Sequence, residues 1–369
     1  MSLAELARPT APDARLGLID CDIHPSFAGG LDEMRPFLDP RWHGYLATYG
    51  GVLMRQALGK TLPYPRMQAG LGRADAWPPE GGAPGSSLRF MQEQHLDPNG
   101  VAFGLLQPIS LAHMQRNPDF GIAMAAAIND WQVAAWTGRD RRLKGAIVVY
   151  PDAAEAAVAE IRRSAANADF VQIAFPPRTT ELAGSRRYWP IFAAAEEHDL
   201  PIGLHASGFN GHANTASGWP SFYIEDHYAI VQGMQALVTS LVLSGVLERF
   251  PRLRMVLIEG GLGWIPALGW RLDKHWARLR DEVPEVRRPP SEYIRENIWF
   301  TTQPIEEPPQ PRDLAQLFDW IGWDRLLFST DYPHWDFDDP KHALRIKLTD
   351  AQRRQLFHDN ARQVYRRLG

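Results

Sequence analysis

The chain has 369 residues, 45% of them hydrophobic, and a formal net charge of -4 at pH 7. That length suits one large barrel or two ordinary domains, and so small a charge offers no general attraction to nucleic acid or acidic lipid. No apolar run approaches the ~20 residues of a membrane span, the first fifteen residues lack the apolar core of a secretory signal, and the one cysteine, Cys21, excludes internal disulfides and multi-cysteine metal sites.

These features predict a cytoplasmic protein with no nucleic-acid or membrane partner. In chain order, the first apolar run, 16–19, breaks into Asp20-Cys21-Asp22-Ile23-His24. Asp22 and His24 are separated by one residue, so on a strand they point the same way and form a ligand pair. The same alternation sends Cys21 to the other side, toward covering helices, as a small buried apolar residue. A proline- and glycine-rich stretch, about 41–87, then reads as an insertion over the mouth of a site.

From Gly100 the pattern becomes regular. Strands are predicted at 101–106, 145–149, 170–174, 201–205, 254–259, 298–302 and 325–331. Helical segments include 153–165, 190–198, 228–249, 263–280, 311–321 and 350–368. Wholly apolar strands such as Ala146-Ile147-Val148-Val149 suit a parallel sheet buried on both faces. Eight strands alternating with helices predict an α/β fold, a (β/α)8 TIM barrel occupying 1–369 as one domain. Loops 206–223 and 303–311 are too long for plain connectors and would overhang the carboxyl-end face.

In such a barrel all strand carboxyl ends meet at one face, so Asp22, His24, His205, Glu259 and Asp331 could converge. Two histidines and two carboxylates suit zinc or manganese, and an open coordination position would hold an activated water. Singly, His205 reads as well as a hydrogen-bonded structural residue and Asp331 as a turn cap. Their joint placement with Asp22 and His24 argues for a metal site.

The pattern also resembles the amidohydrolase superfamily, in the branch holding aminocarboxymuconate semialdehyde, resorcylate and carboxyvanillate decarboxylases with related lactone and amide hydrolases. The resemblance is carried by Ile19-Asp20-Cys21-Asp22-Ile23-His24-Pro25, Pro201-Ile202-Gly203-Leu204-His205 and Arg249-Phe250-Pro251-Arg252-Leu253-Arg254. It continues in Glu259-Gly260-Gly261-Leu262-Gly263-Trp264-Ile265-Pro266, Leu327-Phe328-Ser329-Thr330-Asp331-Tyr332-Pro333-His334 and Asn360-Ala361-Arg362. It implies that Asp22, His24, His205 and Asp331 bind a divalent metal, zinc first and manganese second. Binuclear members carry a carboxylated lysine at the end of strand four; 169–176 has none, so one ion is expected. Where the decarboxylases end strand six in an acid/base histidine, this chain has Glu259.

Asp331, Glu259 and His334 are the candidate catalytic groups, with Asp331 taking a proton from metal-bound water and Glu259 or His334 protonating the leaving group. Glu259 has an alternative role as a plain ion-pair partner. His227, His212, Trp219 and Trp335 are candidate substrate contacts, although His227 also reads as a first-turn helix residue. With 13 tryptophans, many of them in these loops, a flat aromatic or unsaturated substrate is expected. The leading expectation is hydrolysis of a small amide, lactone or ester by metal-activated water. The alternatives are a metal-dependent non-oxidative decarboxylase and a non-catalytic ligand-binding barrel. The partner is a small molecule, and a homodimer is left open.

Overall fold

The computed structural model describes residues 17–50, 72–109, 112–205 and 213–368. Eight strands are present: β1 (Leu18–Ile23), β2 (Val101–Leu106), β3 (Leu143–Val148), β4 (Phe170–Phe175), β5 (Ile202–His205), β6 (Met255–Ile258), β7 (Ile298–Thr301) and β8 (Leu326–Leu327). They lie in sequence order and pair in parallel from β1 through β8. The seam is drawn together where the Cys21 N–H donates to Phe328 O at 3.0 Å and the Asp331 N–H donates to Asp22 O at 3.1 Å. The fold is the expected (β/α)8 TIM barrel.

Helices Ala154–Ser164, Trp189–Glu197, Tyr223–Leu243, Ile265–Leu279 and Pro311–Ile321 match predicted segments, with shifted ends. The segment expected over 228–249 starts earlier, at Tyr223, and breaks at Gly245, whose φ of 74° ends it before a short helix Val246–Arg249. Two further helices, Pro118–Gln132 and Pro290–Asn297, escaped the periodicity. In the first, nine of 15 residues are buried, which blurs the two-faced stripe; the second is only eight residues long. No described helix is long and apolar enough to cross a membrane.

Alternation along the strands divides the core. Met255 and Leu257 of β6 pack in the large cluster beneath the helices, whereas Val256 and Ile258 join a second cluster. That cluster also takes Ile19, Cys21, Leu105 and Leu327 from other strands, with Val364, Tyr365 and Leu368 from the C-terminal segment. It fills the barrel interior from below. Each fully buried side chain of this kind contributes about 1.5–3 kcal/mol relative to exposure.

Cys21 therefore faces the barrel interior, not the covering helices as alternation from Asp22 implies. The cause is a slip in the β1–β2 register: Asp20 pairs with Gly104 and Ile23 with Leu106, leaving one residue too many on β1. At this bulge two successive residues, Cys21 and Asp22, turn inward. Burial, then the charges of Asp20 and Asp22, pushes the Cys21 thiol well above its usual pKa.

Of the expected insertion, residues 51–71 lie outside the described set. The remainder near the barrel is tied to the strand ends, because Ser26 N–H donates to Gly85 O and Arg73 N–H to Pro333 O, each at 2.9 Å. Gly85, at φ 77°, could not carry a side chain; a Cβ there would stand 2.3 Å from His24 O.

Candidate metal centre

β1 ends in His24, and its ring is fixed from behind. Its Nδ1 lies 2.8 Å from the Gln107 carbonyl, a contact that places a proton on Nδ1 and, whenever the ring is neutral, leaves Nε2 with a bare lone pair. Three groups crowd that nitrogen: Asp331 Oδ1 at 2.9 Å, Asp22 Oδ1 at 3.1 Å and His205 Nε2 at 3.2 Å. His205 Nε2 also lies 3.5 Å from Asp22 Oδ1. Both Asp22 oxygens are buried without a hydrogen-bond partner among the described residues. Lone pairs gathered this closely repel unless something positive lies among them.

The ionisation of these groups shows the same polarity. Burial pushes Asp22 and Asp331 upward, but His24 and His205 around the first, and His334 and His24 around the second, hold both below the usual carboxylate range. Burial opposes charge on His24, yet Asp22 and Asp331 lift its pKa well above the usual value. The centre attracts positive charge, and a divalent cation would supply it. Asp22, His24, His205 and Asp331 offer nitrogen and oxygen donors that fit such an ion.

Glu259 stands at the edge. It follows β6 at a φ of 57°, which breaks the alternation that would align it with Met255 and Leu257, and its N–H donates to Thr301 Oγ1 at 3.1 Å. Its Oε2 lies 3.4 Å from His205 Nε2 and its Oε1 3.9 Å from His227 Nε2. It forms a compact group with Asp22, His24 and His205, while Asp331 groups with His24 and His334. Burial, then Asp331, Asp336 and Asp22, raises its pKa well above normal, with His24 opposing. Asp331 likewise lies past its strand, at φ 62°, so the predicted strands 254–259 and 325–331 both end early.

His334 Nδ1 is 2.6 Å from Asp331 Oδ1, and the His334 ring stacks on His24 at 4.3 Å. His227, in helix Tyr223–Leu243, sits 3.1 Å from Asp336 Oδ2. Trp335 is 43% exposed at the rim, donates its Nε1–H to Tyr223 Oη at 3.1 Å, and meets His227 edge-on at 5.6 Å. Trp219 stands on the loop surface, 60% exposed, and is not among the converging groups. His212 lies outside the described residues.

Sequence reading missed Asp336, Gln303 and Asp20. Gln303 Nε2 donates to Asp331 Oδ2 at 3.3 Å and to Asp336 Oδ2 at 3.1 Å, linking the two acids. The acidic stretch Asp336 to Asp339 just past His334 was the available signal for Asp336; Gln303 carried none. Beside His205 an apolar slot opens between the ends of β2, β3, β4 and β5. Beneath the centre, Tyr365 Oη donates to Gln172 Oε1 at 3.2 Å and Gln172 Nε2 to Gln107 Oε1 at 2.8 Å. Gln107, which holds His24, is thus tied to the C-terminal segment.

A family model described as amidohydrolase matches residues 19–367. The gamma-resorcylate decarboxylase of Polaromonas sp. is 26% identical over 194 residues, 49% of this chain and 55% of that protein. The chain spans about half the length of the curated relatives it matches. Among solved structures, 5-carboxyvanillate decarboxylase from Sphingomonas paucimobilis superposes with a TM-score of 0.70 at 21% identity, covering 95% of this chain and 99% of that one. A dihydroxybenzoic acid decarboxylase from Polaromonas sp., solved with manganese and the inhibitor 2-nitroresorcinol, gives 0.65 at 19% identity, covering 95% and 97%.

Proposed function

This chain belongs to the amidohydrolase family, and from that premise we propose that it is a metal-dependent, non-oxidative decarboxylase of an aromatic or unsaturated acid. The observation that carries this reading is the crowding of Asp22, Asp331 and His205 around His24 Nε2, with both Asp22 oxygens lacking a hydrogen-bond partner among the described residues. Similarity to decarboxylases of hydroxylated benzoates supports the substrate class.

Asp22, His24, His205 and Asp331 would hold one divalent ion, zinc or manganese; Glu259, which groups with the first three and lies 3.4 Å from His205 Nε2, is kept as the acid beside them. That ion would supply a Lewis acid for the substrate carboxylate. Glu259, whose buried carboxyl favours the protonated form, delivers the proton to the ring carbon as the bond to the carboxyl carbon breaks. The electron pair of that bond remains on the ring carbon and takes the proton, and carbon dioxide leaves. His227, paired with Asp336, stands behind Glu259 and positions it. Trp335 and Tyr223 form an aromatic rim suited to a flat substrate.

Hydrolysis by an activated water is the second reading. The short Asp331–His334 contact favours it, since such a pair could pass a proton to a leaving group. The test is incubation of metal-loaded protein with carboxyl-labelled hydroxybenzoates. Labelled carbon dioxide is expected; its absence, with cleavage of an aromatic ester, lactone or amide instead, would overturn the decarboxylase in favour of the hydrolase. Absence of both activities would leave the ligand-binding barrel.

A further inference from the structure

The slot beside the metal centre has a chemistry of its own. Its walls include Pro108, Val148, Val149, Ala174, Phe175 and Pro176, and among the described residues no lysine, arginine, aspartate or glutamate lines it. Among the described residues three side chains bring polar atoms: Gln107, His113 and His205. The Gln107 amide is already engaged, by Gln172 at 2.8 Å and by Cys21 O at 3.4 Å. His205 faces the metal ligands.

His113 differs from both. It lies in the single turn Ala112–Met114, between β2 and helix Pro118–Gln132, and its ring nitrogens have no hydrogen-bond partner among the described residues. The ring is only part-buried, so water can meet its nitrogens, and a polar group entering the slot would take that water's place while its apolar body covers the walls. Burial holds its pKa at about 4, against an opposing pull from Asp152, so the ring is neutral at ordinary pH. A neutral imidazole presents one donor and one acceptor.

We propose that this slot receives the ring end of the substrate, and that His113 selects an uncharged hydroxyl or carbonyl group carried there. The orientation rests on the decarboxylase reading, which places the carboxylate at Asp22, His24 and His205. The apolar walls favour a planar hydrocarbon face, and with no cation among the described lining residues they penalise a second carboxylate. The substrate class is therefore a ring monocarboxylic acid bearing a neutral polar substituent.

The experiment is calorimetric binding of benzoate, the three monohydroxybenzoates and benzene-1,3-dicarboxylate to metal-loaded protein. At least one hydroxybenzoate is expected to bind roughly 10-fold more tightly than benzoate, the scale of one added hydrogen bond, and the dicarboxylate more weakly. His113→Phe should abolish the hydroxyl preference while keeping metal content and benzoate affinity; His113→Gln, which retains a donor and an acceptor, should restore part of it. A preference that survives His113→Phe, or a dicarboxylate bound as tightly as the best hydroxybenzoate, would overturn the proposal. Carbon dioxide release, followed in parallel, separates the two ideas. Release with the preference intact in His113→Phe removes the His113 role alone. Loss of the preference without any release by wild type supports the slot and removes the decarboxylase.

Discussion

Thr330 donates both its backbone N–H, at 3.0 Å, and its hydroxyl, at 2.6 Å, to the carboxylate of Asp20 across the seam between β8 and β1. Asp20 also accepts from the Asp22 N–H at 3.2 Å and meets His95 Nε2 at 2.8 Å. One buried carboxylate thus sets the spacing between two proposed ligands, Asp22 and Asp331. Asp20→Ala strands these donors in the interior and should cost about 3–5 kcal/mol, with metal content falling in the folded fraction. Urea unfolding and metal analysis check this; wild-type values for both would remove Asp20 as the spacer.

Removing the metal should destabilise the fold. Both Asp22 oxygens are buried beside Asp331 with no hydrogen-bond partner among the described residues, so the native state gains from a bound cation. Loading at about 100 times the dissociation constant should add about 2.7 kcal/mol. Melting temperature measured after chelation and after adding back Zn²⁺ or Mn²⁺ should fall and then recover. An unchanged transition would mean the centre holds no ion.

Glu259→Gln keeps size and polarity but cannot give up a proton. Turnover should fall roughly 100-fold or more, the scale of a lost general acid, with metal content unchanged. Loss of metal along with activity would instead make Glu259 a ligand in place of Asp331.

Asp338 gives a pH signature. Burial, with Asp336, Glu307 and Asp331 adding to it and the Ile305 N–H opposing, pushes its pKa up to about 7. The folded chain holds this proton more tightly than the unfolded chain, whose carboxyl titrates near about 3.9. Stability is therefore lost as pH rises between those values, and the penalty is complete above about 7. Asp338→Asn has no such proton to lose. Compared by urea unfolding at about pH 5 and about pH 8, the variant should gain on wild type at the higher pH. A constant difference would mean Asp338 is not buried as described.

Cys21 should be silent to thiol reagents in the folded protein and react as one thiol per chain in denaturant. Rapid labelling of the native state would contradict its place in the barrel interior.

The strand ends were legible because an apolar run that stops at His or Asp is a local signal, and a parallel barrel gathers such ends onto one face. Asp22 and His24 could be paired from their spacing alone. What spacing could not show is the bulge that turns Cys21 inward beside Asp22, since register is set by β2 and not by β1. The same limit applies to Glu259, whose inward aim comes from a reversed backbone angle after the strand. Gln303 was invisible because a lone glutamine acquires meaning only when Asp331 and Asp336 meet on either side of it. His227 pairs with Asp336 across more than a hundred residues, a contact no window along the chain contains.

Glu259 and Asp331 both occupy left-handed backbone, at φ 57° and 62°. For residues other than glycine that conformation costs on the order of 1–3 kcal/mol each. Glycine would adopt it freely, and asparagine with less difficulty than glutamate. A library of variants screened for heat resistance alone would therefore drift toward glycine or asparagine at 259 and 331, gaining robustness as it discards two of the acids of the centre. Catalysis and endurance are set against each other at these two positions, and engineering for one must hold them fixed by design.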